Sequence, residues 1–269
     1  MPASRGRSRA ASGLRRRNIA RIAWPHESGG TDDGVRAIEG GSLVDRAVRR
    51  VRDHIRDNDL KVGDTLPGEG AFAAQLGVSR AVMREAFSTL AALRQIDVGN
   101  GRKARVAAID GTVLSSSLDH AIATSQVTVP EIWDVRRTLE LRTSELAAIQ
   151  RSDAEARVIL GHAEGMAAAR HDLSQLIRHD IAFHQAIAKA SGNALFYNII
   201  RSFEALMKVA VPTAWETRAT EQQRQLVLDN HRRIALAIAN READGAREEM
   251  DRHFDTSISD LLVSYSAAS

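Results

Sequence analysis

The chain has 269 residues and no cysteine, which excludes disulfide frameworks, thiol catalysis and thiolate metal sites. No apolar run approaches the roughly 20 residues that a membrane span needs, and the first residues lack the apolar core of a secretory signal. A soluble, cytoplasmic protein is therefore expected. No motif recurs at a fixed period, so a solenoid is not expected either.

Charge is present but unevenly placed. The net charge is only +3, yet residues 1–108 hold 20 Lys/Arg against 12 Asp/Glu, and the remainder holds 17 against 22. A basic first part and an acidic second part confine any phosphate-binding surface to the first. Residues 1–21 carry seven arginines and no acid, the composition of a disordered basic arm. A DNA-tethering arm, a translation start placed upstream of the true one, and an organellar address all fit that composition. Residues 22–40, with Gly29-Gly30 and Asp32-Asp33-Gly34, read as linker.

The segment Leu66 to Leu90 carries the strongest signal. Gly77 can close one helix in the left-handed conformation, Val78 supplies an apolar plug, and Ser79 can cap the next helix. Downstream, Val82, Ala86, Phe87, Leu90 and Leu93 recur at helical spacing, with Arg80 and Arg84 outside that face. This pattern predicts a helix-turn-helix whose second helix presents arginines to a major groove. Val44, Ala47, Val48, Val51 and Ile55 mark a preceding amphipathic helix. Two short strands, Gln95 to Val98 and Ala104 to Ala107, flank Gly99-Asn100-Gly101-Arg102-Lys103 and predict a wing with Gly101, Arg102 and Lys103 at its tip. Those tip residues suit phosphate or minor-groove contact.

From residue 112 onward the strand signals disappear and amphipathic helices are expected near 112–124, 130–150, 153–170, 173–191, 193–212, 218–239 and 244–264. The expected fold is mostly α: a winged helix at 41–108 and an all-α bundle at 109–269. Asp180 and His184 lie four apart among Ile177, Ile181 and Ile187, near one apolar face. His231 and His253 each sit within an apolar stripe, eleven residues before and after a turn near Glu242, so an antiparallel hairpin sets both at one height. Buried polar groups are costly unless partnered. A divalent metal held by Asp180, His184, His231 and His253 supplies partners; zinc, nickel, iron and manganese all suit these donors, and the sequence does not choose among them. The alternative is a set of unrelated core histidines bonded locally. The other six histidines show no comparable grouping.

The segment with PGEGAFA, LGVSR and MREAF resembles the winged-helix domain of the GntR transcription factors, and the helical remainder resembles the FCD effector domain of their FadR subfamily. The likeness covers residues 43 to 264, with further motifs VRRTLE at Val135 to Glu140, DIAFH at Asp180 to His184, and ASGN at Ala190 to Asn193. It implies a homodimeric regulator, expected as a repressor, bound to a double-stranded DNA operator through Ser79, Arg80, Arg84, Gly101, Arg102 and Lys103. In metal-binding members the positions matching Asp180, His184, His231 and His253 are ligands. The metal there holds a small carboxylate effector such as a sugar acid or hydroxy acid, assisted by an arginine that matches Arg136. An ion pair from Arg136 to Glu140 competes with that role, Arg137 is the weaker candidate, and Asn193 is expected as a helix cap. The chain departs from the family at Gly70, where arginine is common, and at Gln95, where glycine is usual. No enzymatic activity is expected. A metal-dependent hydrolase, or a regulator with a purely structural metal, stands as the alternative.

Overall fold

The computed structural model describes residues 41–99 and 101–268, with side chains through residue 257. The expected arm and linker at residues 1–40, and Asn100 in the wing turn, lie outside the described residues. Three helices open the fold: α1 (Leu43–Asp57), α2 (Glu69–Leu76) and α3 (Arg80–Ala92). Ser42 starts α1 with a capping box in which its hydroxyl accepts from the Asp45 N–H and the Asp45 carboxylate returns to the Ser42 N–H. Gly77 ends α2 at φ +64°, and Ser79 then accepts from the Val82 N–H to start α3. The expected helix-turn-helix is formed by the residues that predicted it.

The face that α3 buries is rotated slightly from the expected one. Met83, Ala86, Phe87 and Leu90 are buried, Val82 is half-buried, and Leu93, the C-cap, is 39% exposed. Methionine fills the central position because Val51, Leu66, Phe72 and Ile96 converge on it in one small core. The wing is an antiparallel pair, β1 (Ile96–Gly99) and β2 (Arg102–Val106), with Ile96 opposite Val106 and an irregularity between Asp97 and Gly99. Arg102 and Lys103 belong to β2, which starts two residues earlier than expected, with Arg102 opposite Gly99 beside the turn. The hairpin is tighter than the five-residue loop allowed for it, with Gly101 at φ +69°. The backbone before α2 also pairs with β2: Leu66 N–H donates to the Ala104 carbonyl, and Gly63 N–H to that of Val106.

Helices α4 (Thr112–Ala123), α5 (Val129–Gln150), α6 (Asp153–Ala168) and α7 (Leu173–Ala190) follow, then α8 (Ala194–Ser202), α9 (Glu204–Glu216), α10 (Glu221–Ala239) and α11 (Ala243–Ala268). The one helix expected at 193–212 is two, broken at Phe203, whose buried ring joins the core. Pro212 does not end α9, which runs on to Glu216. Ile159, Phe183, Ile187, Ile234, Met250 and Phe254 are each at most 1% exposed and form the centre of the bundle. Capping boxes at Thr128, Ser152 and Thr220 start α5, α6 and α10, and Asn193 caps α8 as expected by accepting from the Leu195 N–H.

The segment between wing and bundle is pinned at Gly111, which has φ +77° and lies so near α8 that an added Cβ would meet the Asn198 carbonyl oxygen at 2.6 Å. Left-handed backbone costs a residue with a side chain about 1–2 kcal/mol, and the contact with backbone adds to it. Gly111→Ala is expected to lower stability by about 2 kcal/mol, a fall of about 4–8 °C in Tm for a domain of this size. Thermal and urea melts of the two proteins measure it, and an unchanged midpoint would show that this contact carries no stability.

Candidate metal centre and DNA interface

Two helices each bring an i,i+4 polar pair to one place inside the bundle. On α5 these are Arg136 and Glu140; on α7 they are Asp180 and His184. His231 of α10 and His253 of α11 complete the group, and all six residues are buried. The α10–α11 hairpin sets its two imidazoles at one height, as the spacing predicts, with ring centres 4.5 Å apart. His184 lies 5.8 Å from His231 and 5.2 Å from His253 by the same measure. Each histidine offers a ring nitrogen, and these atoms lie within 4.8 Å of one another.

The hydrogen bonds decide what those nitrogens can do. His231 Nδ1 is 2.8 Å from the Val227 carbonyl oxygen. A carbonyl only accepts, so Nδ1 is the donor and Nε2 of a neutral ring carries a lone pair. That Nε2 lies 3.2 Å from Asp180 Oδ1 without the alignment of a hydrogen bond. Two electron-rich atoms face each other there, and a metal ion between them would relieve the opposition. His253 Nδ1 is also buried without a partner. Its burial, then the neighbouring His231, His184, Arg136 and Arg218, hold His253 well below the usual imidazole value, so it stays neutral. Neutral imidazoles and a carboxylate are the donors that zinc and its neighbours take. The residues present fit a divalent metal.

Glu140 was read from sequence only as a competitor for Arg136, and it has a larger place. Its Oε1 accepts from Arg136 at 2.8 Å, and its Oε2 accepts from His184 Nδ1. Burial alone would raise its carboxyl, but Arg136 and His184 outweigh this and hold it below the usual carboxylate range. Asp180 behaves alike: burial opposes ionisation, and the adjacent His231, with His184 and Arg136, overcomes it. Arg136 spends its Nε and one terminal nitrogen on Glu140, touches Met207 Sδ, and stacks 4.8 Å from the Trp133 ring. It still lines the histidine cavity, together with Trp215, Arg218 and Ser257. Arg218 gave no sequence signal, since it lies in the connection between α9 and α10. The cavity itself holds only about 30 Å³.

Arg137 points elsewhere and pairs with Asp251 and Asp255. One grouping went unread: His162 of α6 and His179 of α7 face each other with Nδ1 atoms 3.3 Å apart. Their separation of 17 residues crosses a helix turn, so no short spacing announces it.

On the winged helix, Arg80, Arg84, Arg102 and Lys103 are exposed. Arg84 lies 3.8 Å from Glu69 across the turn, a loose pair with the arginine side chain 74% exposed. The Ser79 hydroxyl is committed to its cap. The Arg80 guanidinium lies over Gly70, close enough that a Cβ there would sit 3.7 Å from its Nε.

Residues 43–106 match the family of bacterial regulatory proteins of the gntR type, and residues 131–256 match the FCD domain. The Glc operon transcriptional activator of Escherichia coli K12 is 33% identical over 205 residues, covering 74% of this chain and 80% of its own. The HTH-type transcriptional regulator LutR of Bacillus subtilis 168 is 29% identical, covering 78% and 97%. The putative L-lactate dehydrogenase operon regulatory protein of Escherichia coli K12 is 27% identical, covering 78% and 83%. Among solved structures, a Streptococcus agalactiae GntR protein superposes with a TM-score of 0.59 at 22% identity, over 79% of this chain and 98% of that one.

Neutral His253 has a consequence for stability. Its folded pKa lies below the unfolded value of 6.5, so below that pH the unfolded chain binds more protons and stability falls as pH drops. Chelator-treated protein is expected to lose up to about 1.4 kcal/mol per pH unit between pH 6.5 and 5.5 from this residue. His253→Gln should flatten the slope in urea melts across that range. A slope unaltered by the substitution would mean that His253 is protonated in the fold.

Proposed function

This chain belongs to the GntR family of bacterial regulatory proteins, in the branch that carries an FCD domain, and from that premise we propose that it is a metal-dependent, effector-gated repressor. It is a DNA-binding transcriptional regulator; the metal, the effector and the sign of regulation are our reading. The observation that carries it is the confrontation of His231 Nε2 with Asp180 Oδ1 at 3.2 Å beside two further buried imidazoles. One metal ion held by His184, His231 and His253, whose ring nitrogens lie within 4.8 Å of one another, with Asp180 beside His231 as fourth ligand, would satisfy these donors. When bound, it supplies a Lewis-acid centre for an anionic ligand.

The effector class follows from what surrounds the donors. Arg136 and Arg218 line the same cavity as the histidines, so a carboxylate reaching the metal meets a guanidinium as well. A short 2-hydroxy acid presents two adjacent oxygens to one ion and little else to bury. The name of one relative, the putative L-lactate dehydrogenase operon regulatory protein, points to the same class. Glu140 is already committed to Arg136 and His184, and Asp180 is one of the four proposed metal ligands. Neither is placed to take a proton from attacking water, which favours regulation over hydrolysis.

A cavity of about 30 Å³ admits an ion and about one water, less than a three-carbon acid. Effector entry therefore requires the wall formed by Trp215 and Arg218, at the end of α9, to move. The small volume also favours a second reading, in which the metal only pins helices together. Gating further requires that the effector prefer one arrangement of the winged helices over another. We read the chain as a homodimer on a pseudo-palindromic operator, with Arg80 and Arg84 of α3 in the major groove and Gly101, Arg102 and Lys103 of the wing on the backbone or minor groove.

Operator affinity of zinc-loaded protein is expected to fall when lactate or another short 2-hydroxy acid is added, and the same acid should raise Tm. A metal that raises Tm, combined with acids that change neither Tm nor operator affinity, would establish the structural reading. Consumption of the acid would revive hydrolysis. Arg84→Ala is expected to weaken operator binding by about 1–3 kcal/mol and to reduce its margin over random DNA. An intact margin would remove Arg84 as a base reader.

A further inference from the structure

We infer that Glu140 is the positioning residue that ties the metal ligand His184 to Arg136, so that one carboxylate sets both the metal-facing nitrogen and the guanidinium that meets the effector. The inference rests on the metal reading above and concerns a residue outside the ligand set.

The division of labour is visible oxygen by oxygen. Oε1 takes Nε and a terminal nitrogen of Arg136, and Oε2 takes Nδ1 of His184. A carboxylate only accepts, so His184 must carry its proton on Nδ1 and keep its lone pair on Nε2. The other tautomer would place the Nδ1 lone pair against Oε2 and a proton on Nε2, closing that nitrogen to the metal. Carboxylates bonded to ligand imidazoles fix ring and tautomer in this way, and losing them typically weakens metal binding about 10–100-fold. The second oxygen has an equally defined effect. It grips Arg136 along one edge of the guanidinium while Trp133 covers its face at 4.8 Å, which leaves the remaining N–H groups in a fixed direction. Because both grips belong to one side chain that is 1% exposed, shifting the arginine onto an effector carboxylate tugs the same carboxylate that orients His184.

Two oxygens on one residue also explain why Glu140 cannot be traded for glutamine. The amide offers one acceptor where two are required, and its NH2 group would face either the Arg136 donors or the His184 Nδ1–H.

Zinc affinity measured by competition with a chromophoric chelator tests this on the full chain. Glu140→Gln is expected to bind zinc about 10–100-fold more weakly, whereas Arg136→Lys, which keeps the carboxylate, should bind zinc like wild type and lose the 2-hydroxy acid response. Glu140→Gln leaves a buried guanidinium without its partner and can fail to fold. The double variant Arg136→Met with Glu140→Gln removes that charge and is expected to fold with the same zinc deficit. Nitrogen-15 spectra of wild-type protein provide a readout that packing alone would not move: the His184 ring should show a protonated Nδ1 with and without zinc, and zinc on Nε2. Wild-type zinc affinity in a folded double variant, an equal deficit in Arg136→Lys, or zinc on Nδ1 would each overturn the inference. A wild-type protein that binds no divalent metal would instead remove the metal reading itself, and this inference with it.

Discussion

The Glu140 carboxylate is the constraint around which the helical domain is organised. A charge buried inside an apolar bundle costs several kcal/mol unless its partners are in place, and Glu140 has them from two directions: Arg136 one turn earlier on its own helix, and His184 on α7. The first partner is supplied by helical spacing alone. The second requires that α5 and α7 lie side by side with their i,i+4 pairs facing each other. The register of the two helices is thus set by polar groups as well as by the core that Ala147 and Ala148 of α5 share with Phe183 and Ile187 of α7. Truncating either partner would strand a buried charge, so this interaction specifies the arrangement more than it adds stability.

With α5 and α7 in register, the hairpin of α10 and α11 closes the site. Its contribution is symmetry: two histidines equally far from one turn arrive at one height and meet the Asp180–His184 pair. The bond from His231 Nδ1 to the Val227 carbonyl matters as much as the position of the ring, because it turns the lone pair of Nε2 toward Asp180. A cation at this point would link α7, α10 and α11, and through Glu140 it would act on α5. The path toward the DNA-binding part runs over α8, whose backbone meets Gly111 at the start of α4. Asp110 next to it lies 3.7 Å from Arg94, just past α3. Any displacement of α9 against α8 would therefore have a short chain of packed elements to cross before reaching α3.

Much of this was legible in the sequence because it depends on local rules. Gly77 and Ser79 announced the turn through backbone conformation and capping, and the periodic apolar residues of α5, α7, α10 and α11 placed four candidate ligands on inward faces. The hairpin argument worked because distance along two antiparallel helices from a common turn is simple geometry. What escaped depends on contacts between distant segments. The break at Phe203 carries no glycine or proline; a ring drawn into the core makes it. Pro212 is a breaker by local rules, yet α9 continues past it within a packed bundle. The choice of Met83 over Val82 for the centre of the winged-helix core reflects where Leu66 and Ile96 sit, which no window around α3 contains. The pairing of His162 with His179 was hidden for the same reason, and so was the lining of the histidine cavity by Arg218. Glu140 was visible and misjudged: the i,i+4 pair with Arg136 read as competition for one arginine, because its second oxygen could not be assigned until α5 and α7 were set together.

The DNA-binding surface obeys a related economy of charge. Resemblance to the family predicts an arginine at position 70, and the chain has glycine there, which suggested a lost phosphate contact. In the folded protein the Arg80 guanidinium lies over that glycine, so a positive group occupies the surface at the start of α2 although it comes from α3. A Cβ at position 70 would sit in ordinary contact with the Arg80 guanidinium, 3.7 Å from its Nε, so the glycine leaves room for Arg80 to lie along α2. Arg84, one turn further on, is held only loosely by Glu69 and remains free to leave it. An arginine that covers α2 and one that reaches past it are not equivalent readers, and base discrimination should fall mainly to Arg84. Backbone affinity would then rest on Arg80 together with Arg102 and Lys103 of β2, so the operator need not follow that of relatives carrying arginine at position 70.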